Sequence, residues 1–270
     1  MVSGHLAWLP LMTARVVVTT VALVVWGCGS DQRAPGSPSP SPAPSALKHL
    51  LVVTHTTGFR HSSIAIGEST IASLATQSGR FDVVNARTED DVRRLMTAEG
   101  LMPFDAVAFV NTTGDLGIPN VAVFLEWLRA GHGFFGAHSA SDTYHNEAGY
   151  LDMLGGEFNR HGDQTTVDLR VENSSHPSVS HLGSTFRILD EIYKFSRSDR
   201  GQVNVLLSLD RHPNDGLSEQ GQPGDLLLAW FKPYGNGRVF YTALGHREEV
   251  WQDARYRQHV RGGLEWVLGL

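Results

Sequence analysis

Apolar positions set the layout of the chain from about residue 47 onward. Leu50-Leu51-Val52-Val53-Thr54 is a continuous apolar run rich in β-branched residues, the signature of a parallel strand buried on both faces. It ends at His55-Thr56-Thr57-Gly58-Phe59-Arg60-His61. Ile64, Ile71, Leu74 and Ala75 then recur at helical spacing, with Ser62 or Ser63 as the cap. Phe81 to Val84 reads as a second strand. Thr88 opens a helix that ends near Gly100, with Val92, Leu95 and Met96 on one face. Phe104 to Val110 is a third strand. Pro119 stands near the start of a helix carrying Val123, Phe124, Trp127 and Leu128. Gly133-Phe134-Phe135-Gly136-Ala137 is a fourth strand, broken at His138-Ser139-Ala140-Ser141-Asp142.

This βαβαβαβ alternation predicts a doubly wound, mostly parallel sheet flanked by helices. After Tyr144 the pattern changes. Tyr150 to Leu154 is a short helical segment stopped by a Gly155-Gly156 turn, and Thr165 to Val171 alternates like a half-exposed strand. Val203 to Leu209, Leu226 to Phe231 and Arg238 to Leu244 are further strands, so antiparallel strands are expected in the C-terminal half. A helix from Ala254 to Leu268 closes a domain expected over residues 47–270.

Composition changes the picture mainly at the N-terminus. The lone cysteine, Cys28, rules out an internal disulfide framework. It follows Arg15 and an apolar run from Val16 to Trp26, too short to span a bilayer comfortably and matching the core of a secretory signal. A small residue before a lone cysteine resembles a bacterial lipoprotein signal, so residues 1–28 are expected to be a leader with Cys28 lipidated. An ordinary cleaved signal or an uncleaved anchor is the alternative. Residues 29–46, rich in proline and serine, read as an extended spacer that holds the domain away from a membrane. The formal net charge of −6 gives no basic footprint for nucleic acid.

The candidate chemistry is histidine-rich, with 13 histidines, several at predicted strand ends. The stretch around His138 looks like a nucleophile elbow, the strand-to-helix turn that exposes a catalytic side chain, with histidine in the central place. Taken in order, several pieces carry a resemblance: Gly58-Phe59-Arg60-His61, Gly136-Ala137-His138, Gly155-Gly156-Glu157-Phe158 with His161, His176-Pro177, Asp190-Glu191-Ile192-Tyr193, and Gly237 to Tyr241 running to Gly245-His246. The chain resembles the ThuA-like (trehalose-utilisation) family over Leu47 to Leu270. That resemblance implies a class I glutamine amidotransferase-like α/β fold and work on a sugar, oxidised (keto) disaccharides included. Amidotransferases of this fold carry a cysteine at the elbow and a His-x-Glu pair after the last strand. Here His138 stands at the elbow, while His246-Arg247-Glu248 keeps the spacing. With Cys28 in the leader, thiolate amidotransfer has no nucleophile.

His55, His138 and His246 lie at the ends of predicted parallel strands, where an open α/β sheet binds its ligands. Three converging imidazoles would hold a divalent metal such as zinc. Alternatively, His138 and His246 act as an acid–base pair on a sugar or keto-sugar, oriented by Asp142 and Glu248. A polar cluster without chemistry is the third option. His55, Arg60, His61, His161, Glu191 and Tyr193 are the expected substrate-binding residues. Ile192 is read as facing the core, with Glu191 and Tyr193 on the other face of one strand. Three readings of function stand together: a carbohydrate-active enzyme, a non-catalytic carbohydrate-binding lipoprotein, and a metal-dependent hydrolase.

Overall fold

The computed structural model describes residues 46–270. The expected leader, Cys28 and nearly all of the spacer lie outside the described residues.

The first half alternates as its hydrophobic pattern dictates: β1 (Lys48–Val53), α1 (Ile64–Ser78), β2 (Phe81–Ala86), α2 (Glu89–Leu95), α3 (Ala98–Leu101), β3 (Ala106–Val110), α4 (Val121–Arg129) and β4 (Gly133–Ala137). Every residue of β3 and β4 is buried, as continuous apolar runs in a doubly covered sheet require. Thr88 opens α2 through a capping box with Asp91. The helix expected to run to Gly100 breaks at Met96. Thr97 accepts the Gly100 N–H and caps a separate turn, α3, so one period of apolar residues serves two short helices.

A 3-10 turn over His138–Asp142 follows β4. The second half adds α5 (Ala148–Leu154), β5 (Gly156–His161), β6 (Thr165–Val171), β7 (Thr185–Asp190), β8 (Tyr193–Ser198), β9 (Asn204–Arg211), β10 (Pro223–Tyr234), β11 (Gly237–Thr242), α6 (Glu248–Gln252) and α7 (Ala254–Leu268). Nine strands form one sheet in the order β2-β1-β3-β4-β11-β10-β9-β6-β7. β2, β1, β3, β4 and β11 run parallel, while β10, β9, β6 and β7 pair antiparallel. The helices form two contacting groups, α1 with α6 and α7, and α2 to α5 in succession.

Two elements differ from expectation. Gly156 to His161 is not a turn but a strand, paired antiparallel with β8 in a separate two-stranded ribbon. Its alternation is hidden because the pairing is bulged beside Phe158 and its last three residues are exposed. Asp190 to Tyr193 is not one strand either. Glu191 and Ile192 form the link between β7 of the large sheet and β8 of the ribbon. Glu191 therefore owes its direction to a chain crossing between sheets, not to strand alternation.

Candidate functional site

Two neighbouring parallel strands deliver the centre. β4 and β11 pair in register up to Ala137 and Thr242, so His138 and the Ala243–His246 segment emerge side by side. His138 takes a left-handed φ of 49°, unusual for a residue with a β-carbon. The turn is held from behind. The Tyr241 hydroxyl donates to the His138 carbonyl at 2.7 Å, and Ser141 packs on that hydroxyl at 2.8 Å. Gly136 lets the turn close, because a β-carbon there would lie 3.0 Å from the Tyr241 ring.

The His138 ring is fixed in orientation. Its Nδ1 lies 2.7 Å from the Ala243 carbonyl, which only accepts, so Nδ1 donates there and Nε2 is turned to the centre. Glu191 Oε2 lies 3.5 Å from that Nε2 and 3.2 Å from His246 Nδ1. His246 Nδ1 and His138 Nε2 are 3.3 Å apart. His61, just before α1, sets its ring edge-on to both, with centroids 4.8 Å from His138 and 5.2 Å from His246. One donor atom from each of His61, His138, Glu191 and His246 falls within 4.8 Å of the others.

These separations can be tested against a metal. Four nitrogen or oxygen ligands at about 2.0–2.1 Å in a tetrahedron stand about 3.3 Å from one another. The separations of 3.2, 3.3 and 3.5 Å among Glu191, His246 and His138 match that edge length. Glu191, His138 and His246 fit three positions around a divalent transition ion, the His61 donor lies within 4.8 Å of them, and the Ala243 carbonyl on His138 is the outer partner that such ligands usually have.

At His61 the electrostatics point the same way. Burial, with His138 and His246 close by, pushes the His61 pKa down to about 3, so this imidazole keeps a free lone pair at neutral pH. Burial alone would raise the Glu191 carboxyl. Hydrogen bonds with His138 and His246 overcome that and hold it well below the usual carboxylate range. The hydrogen bond to Glu191 raises the His246 pKa against the opposing effect of burial.

The centre opens into a cavity of about 240 Å³ walled by Phe59, Phe158 and Tyr193, with Asp142 and His161 at its polar side. The ribbon supplies two of these together, since His161 and Tyr193 are register partners of β5 and β8. His161 Nδ1 lies 3.1 Å from Glu191 Oε1, so Glu191 faces His138 and His246 with one oxygen and His161 with the other. A larger cavity of about 360 Å³ lies beside Arg187, Arg247 and Arg255. Each of these is paired with an acid, Asp168, Glu249 and Asp253.

Of the residues expected from sequence, His138, His246, Glu191, His61, His161 and Tyr193 come together at the cavity. His55 does not join them. β3 lies between β1 and β4 in the sheet, so a residue just past β1 is one strand too far away, and His61 bridges the gap from farther along the loop. His55 Nε2 is buried without a partner. Arg60 turns back to the Thr54 carbonyl at 3.4 Å. Asp142 lines the cavity but pairs with His145 at 2.7 Å, not with His138. Glu248 is exposed on the first turn of α6, and the carboxylate against His246 is that of Glu191. Sequence reasoning missed Phe59, Phe158 and His145. Phe59 is 65% exposed, and only its place beside His61 marks it as part of the site.

The comparisons with known proteins agree with the fold. The ThuA family model, described as trehalose utilisation, matches residues 49–267. A ThuA-like protein from Parabacteroides merdae ATCC 43184 superposes with a TM-score of 0.67 at 20% identity, covering 83% of this chain and 90% of that one. A second, from Bacteroides uniformis ATCC 8492, gives 0.65 at 22% identity over 85% and 95% of the two chains. A cytoplasmic protein from Salmonella typhimurium LT2 gives 0.59 at 14% identity over 82% and 99%. No curated protein matches the chain. The structural likenesses speak for the fold, and the family model spans nearly all of the described residues: the chain belongs to the ThuA (trehalose utilisation) family.

Proposed function

We propose that this protein is a metal-dependent enzyme acting on a sugar or keto-sugar, with His61, His138, His246 and Glu191 as the ligand set. The observation that carries this reading is the spacing of 3.2 to 3.5 Å among the donors of Glu191, His138 and His246. A bound divalent ion would act as a Lewis acid on a carbonyl or hydroxyl oxygen of the substrate. The chain's own residues would do the rest. Phe59 and Phe158 offer flat apolar faces for one sugar ring in a cavity at the small end of ligand sites. Tyr193 packs against the His138 ring at 4.2 Å and keeps it in place. His161, half-exposed, with Nδ1 2.9 Å from the Gly162 carbonyl and 3.1 Å from Glu191 Oε1, is placed to take or return a proton on the open side, at a hydroxyl or at a carbon next to a carbonyl.

A second reading draws on a different observation. His61 and His246 have pKa values displaced in opposite directions, as in an acid–base pair that needs no metal. Chelation separates the two. Purified protein stripped of metal should lose turnover of keto-sugar substrates and regain it with zinc or cobalt. Full turnover without metal would sink the metal reading and leave the histidine pair. If sugars bind but none is ever turned over, the protein is a binding lipoprotein instead. The family name supports the sugar, and the N-terminal sequence supports export and a lipid anchor at Cys28. Cys28→Ala should then move the protein out of the membrane fraction, and unchanged membrane association would refute the anchor.

A further inference from the structure

Asp190 is the last residue of β7, fully buried, and the metal reading gives it no task. Its Oδ2 accepts the Gly245 N–H at 2.7 Å and its Oδ1 accepts the Arg247 N–H at 3.2 Å. These two amides flank His246, and Asp190 is bonded in the chain to Glu191. One carboxylate therefore ties two members of the donor set together.

The grip on His246 is completed from the other side. The Gly245 carbonyl accepts from Ser63 Oγ at 3.1 Å, and from Asn111 Nδ2 and Trp251 Nε1 at 2.9 Å each. Gly245 has φ 118°, and a β-carbon there would lie 2.8 Å from the Tyr256 hydroxyl oxygen, so only glycine fits. Gly245, the residue before His246, is thus held at both its own N–H and its own C=O.

Charge adds a second argument. Among the described residues, Glu191 is ion-paired only with histidines, and Asp190 pairs with no lysine or arginine. The more exposed Glu172, by contrast, is held by Arg170 and Arg200. Two adjacent buried carboxylates without a cation are costly. A dication bound by the three imidazoles would supply the missing charge.

We infer that Asp190 is the positioning residue of the centre: bonded in the chain to Glu191 and holding the amides on both sides of His246, it sets the Glu191–His246 spacing. This rests on the metal reading above. The test uses the full chain with Asp190→Asn, which removes the charge and turns an amide N–H₂ toward one of the two backbone donors. Zinc affinity, measured by competition, should fall about 10–100-fold, the usual loss for an outer partner of a ligand. The visible absorption of the cobalt(II) form should change as well, which a strut without influence on the centre would not cause. If D190N binds zinc and cobalt as the wild type does, the inference is overturned and the metal reading stands. If the wild type binds no ion, both fall. Should D190N not fold, amide exchange in the wild type decides. The Gly245 and Arg247 amides should be as protected as those of β11 even without metal. Fast exchange at these two positions would overturn the inference.

Discussion

His176 and His259, packed between α7 and the sheet, are buried as deeply as the histidines of the centre. His259 is fully buried and His176 is 5% exposed, against 0% for His138 and 6% for His61. Their pKa values fall as well: burial takes His259 to about 3 and His176 to about 4, beside about 3 for His61. The resemblance ends there. His176 and His259 each turn Nδ1 to Ser178, at its hydroxyl and its carbonyl, 2.8 and 3.0 Å away. Their rings pack on Phe231 at 4.5 Å and Phe240 at 5.4 Å. Among the described residues no carboxylate pairs with either. At the centre, two ring nitrogens meet one Glu191 oxygen beside a third imidazole and an open cavity. Deep burial and a neutral imidazole are therefore not enough to make a site. Convergence on a shared carboxylate is what separates a ligand set from core packing.

The sharpest break in this comparison is His138→Ala. Turnover should fall by at least about 10²–10⁴-fold, and zinc uptake should be lost, while the far-UV dichroism of the folded protein stays the same. Activity retained in that variant would remove the centre from the chemistry. His259→Ala should do the reverse. It leaves a cavity beside Phe240 and an unpaired Ser178 carbonyl, and should cost about 2–4 kcal/mol in urea unfolding while the surviving folded protein keeps its turnover. An unchanged unfolding midpoint would contradict the packing role.

Acid should expose the packing group next. His176 and His259 are neutral in the fold, whereas in the unfolded chain they titrate near 6.5. Their depressed pKa values mean that the unfolded state binds protons first. Stability is then fully present above about pH 6.5 and falls as pH drops toward 4, by up to about 1.4 kcal/mol per unit for each histidine. His176→Phe, which keeps the stacking on Phe231 and Trp266, should flatten that slope, and a slope as steep as the wild type's would refute the assignment. The smallest effect is expected at Glu248. It is exposed and Glu191 already faces His246, so Glu248→Ala should leave turnover within about twofold. A large loss there would restore the His-x-Glu pair expected from sequence.

The parallel half of the fold was legible because its strands are buried on both faces, and burial writes itself into sequence as unbroken runs such as Leu50 to Val53 and Ala106 to Val110. The His138 elbow was legible for a related reason, since a strand that stops at a polar cluster marks its own carboxyl end. What stayed hidden depends on strand order and on chain crossings. No local pattern states that β3 separates β1 from β4, so His55 looked as well placed as His61. Nor does any period mark Glu191 as a link between two sheets, with Asp190 behind it reaching the His246 loop from the far edge of the large sheet. Phe59 was passed over because an exposed aromatic in a loop carries no periodic signal at all.

The central claim is that His61, His138, His246 and Glu191 form one metal centre, and titration of metal-free protein with cobalt(II) tests it most directly. The account predicts one ion per chain, with a visible absorption spectrum of low-symmetry four- or five-coordinate cobalt that disappears in Glu191→Gln and His138→Ala alike. Wild-type protein that takes up no cobalt or zinc, yet turns over its substrate after exhaustive chelation, would contradict it.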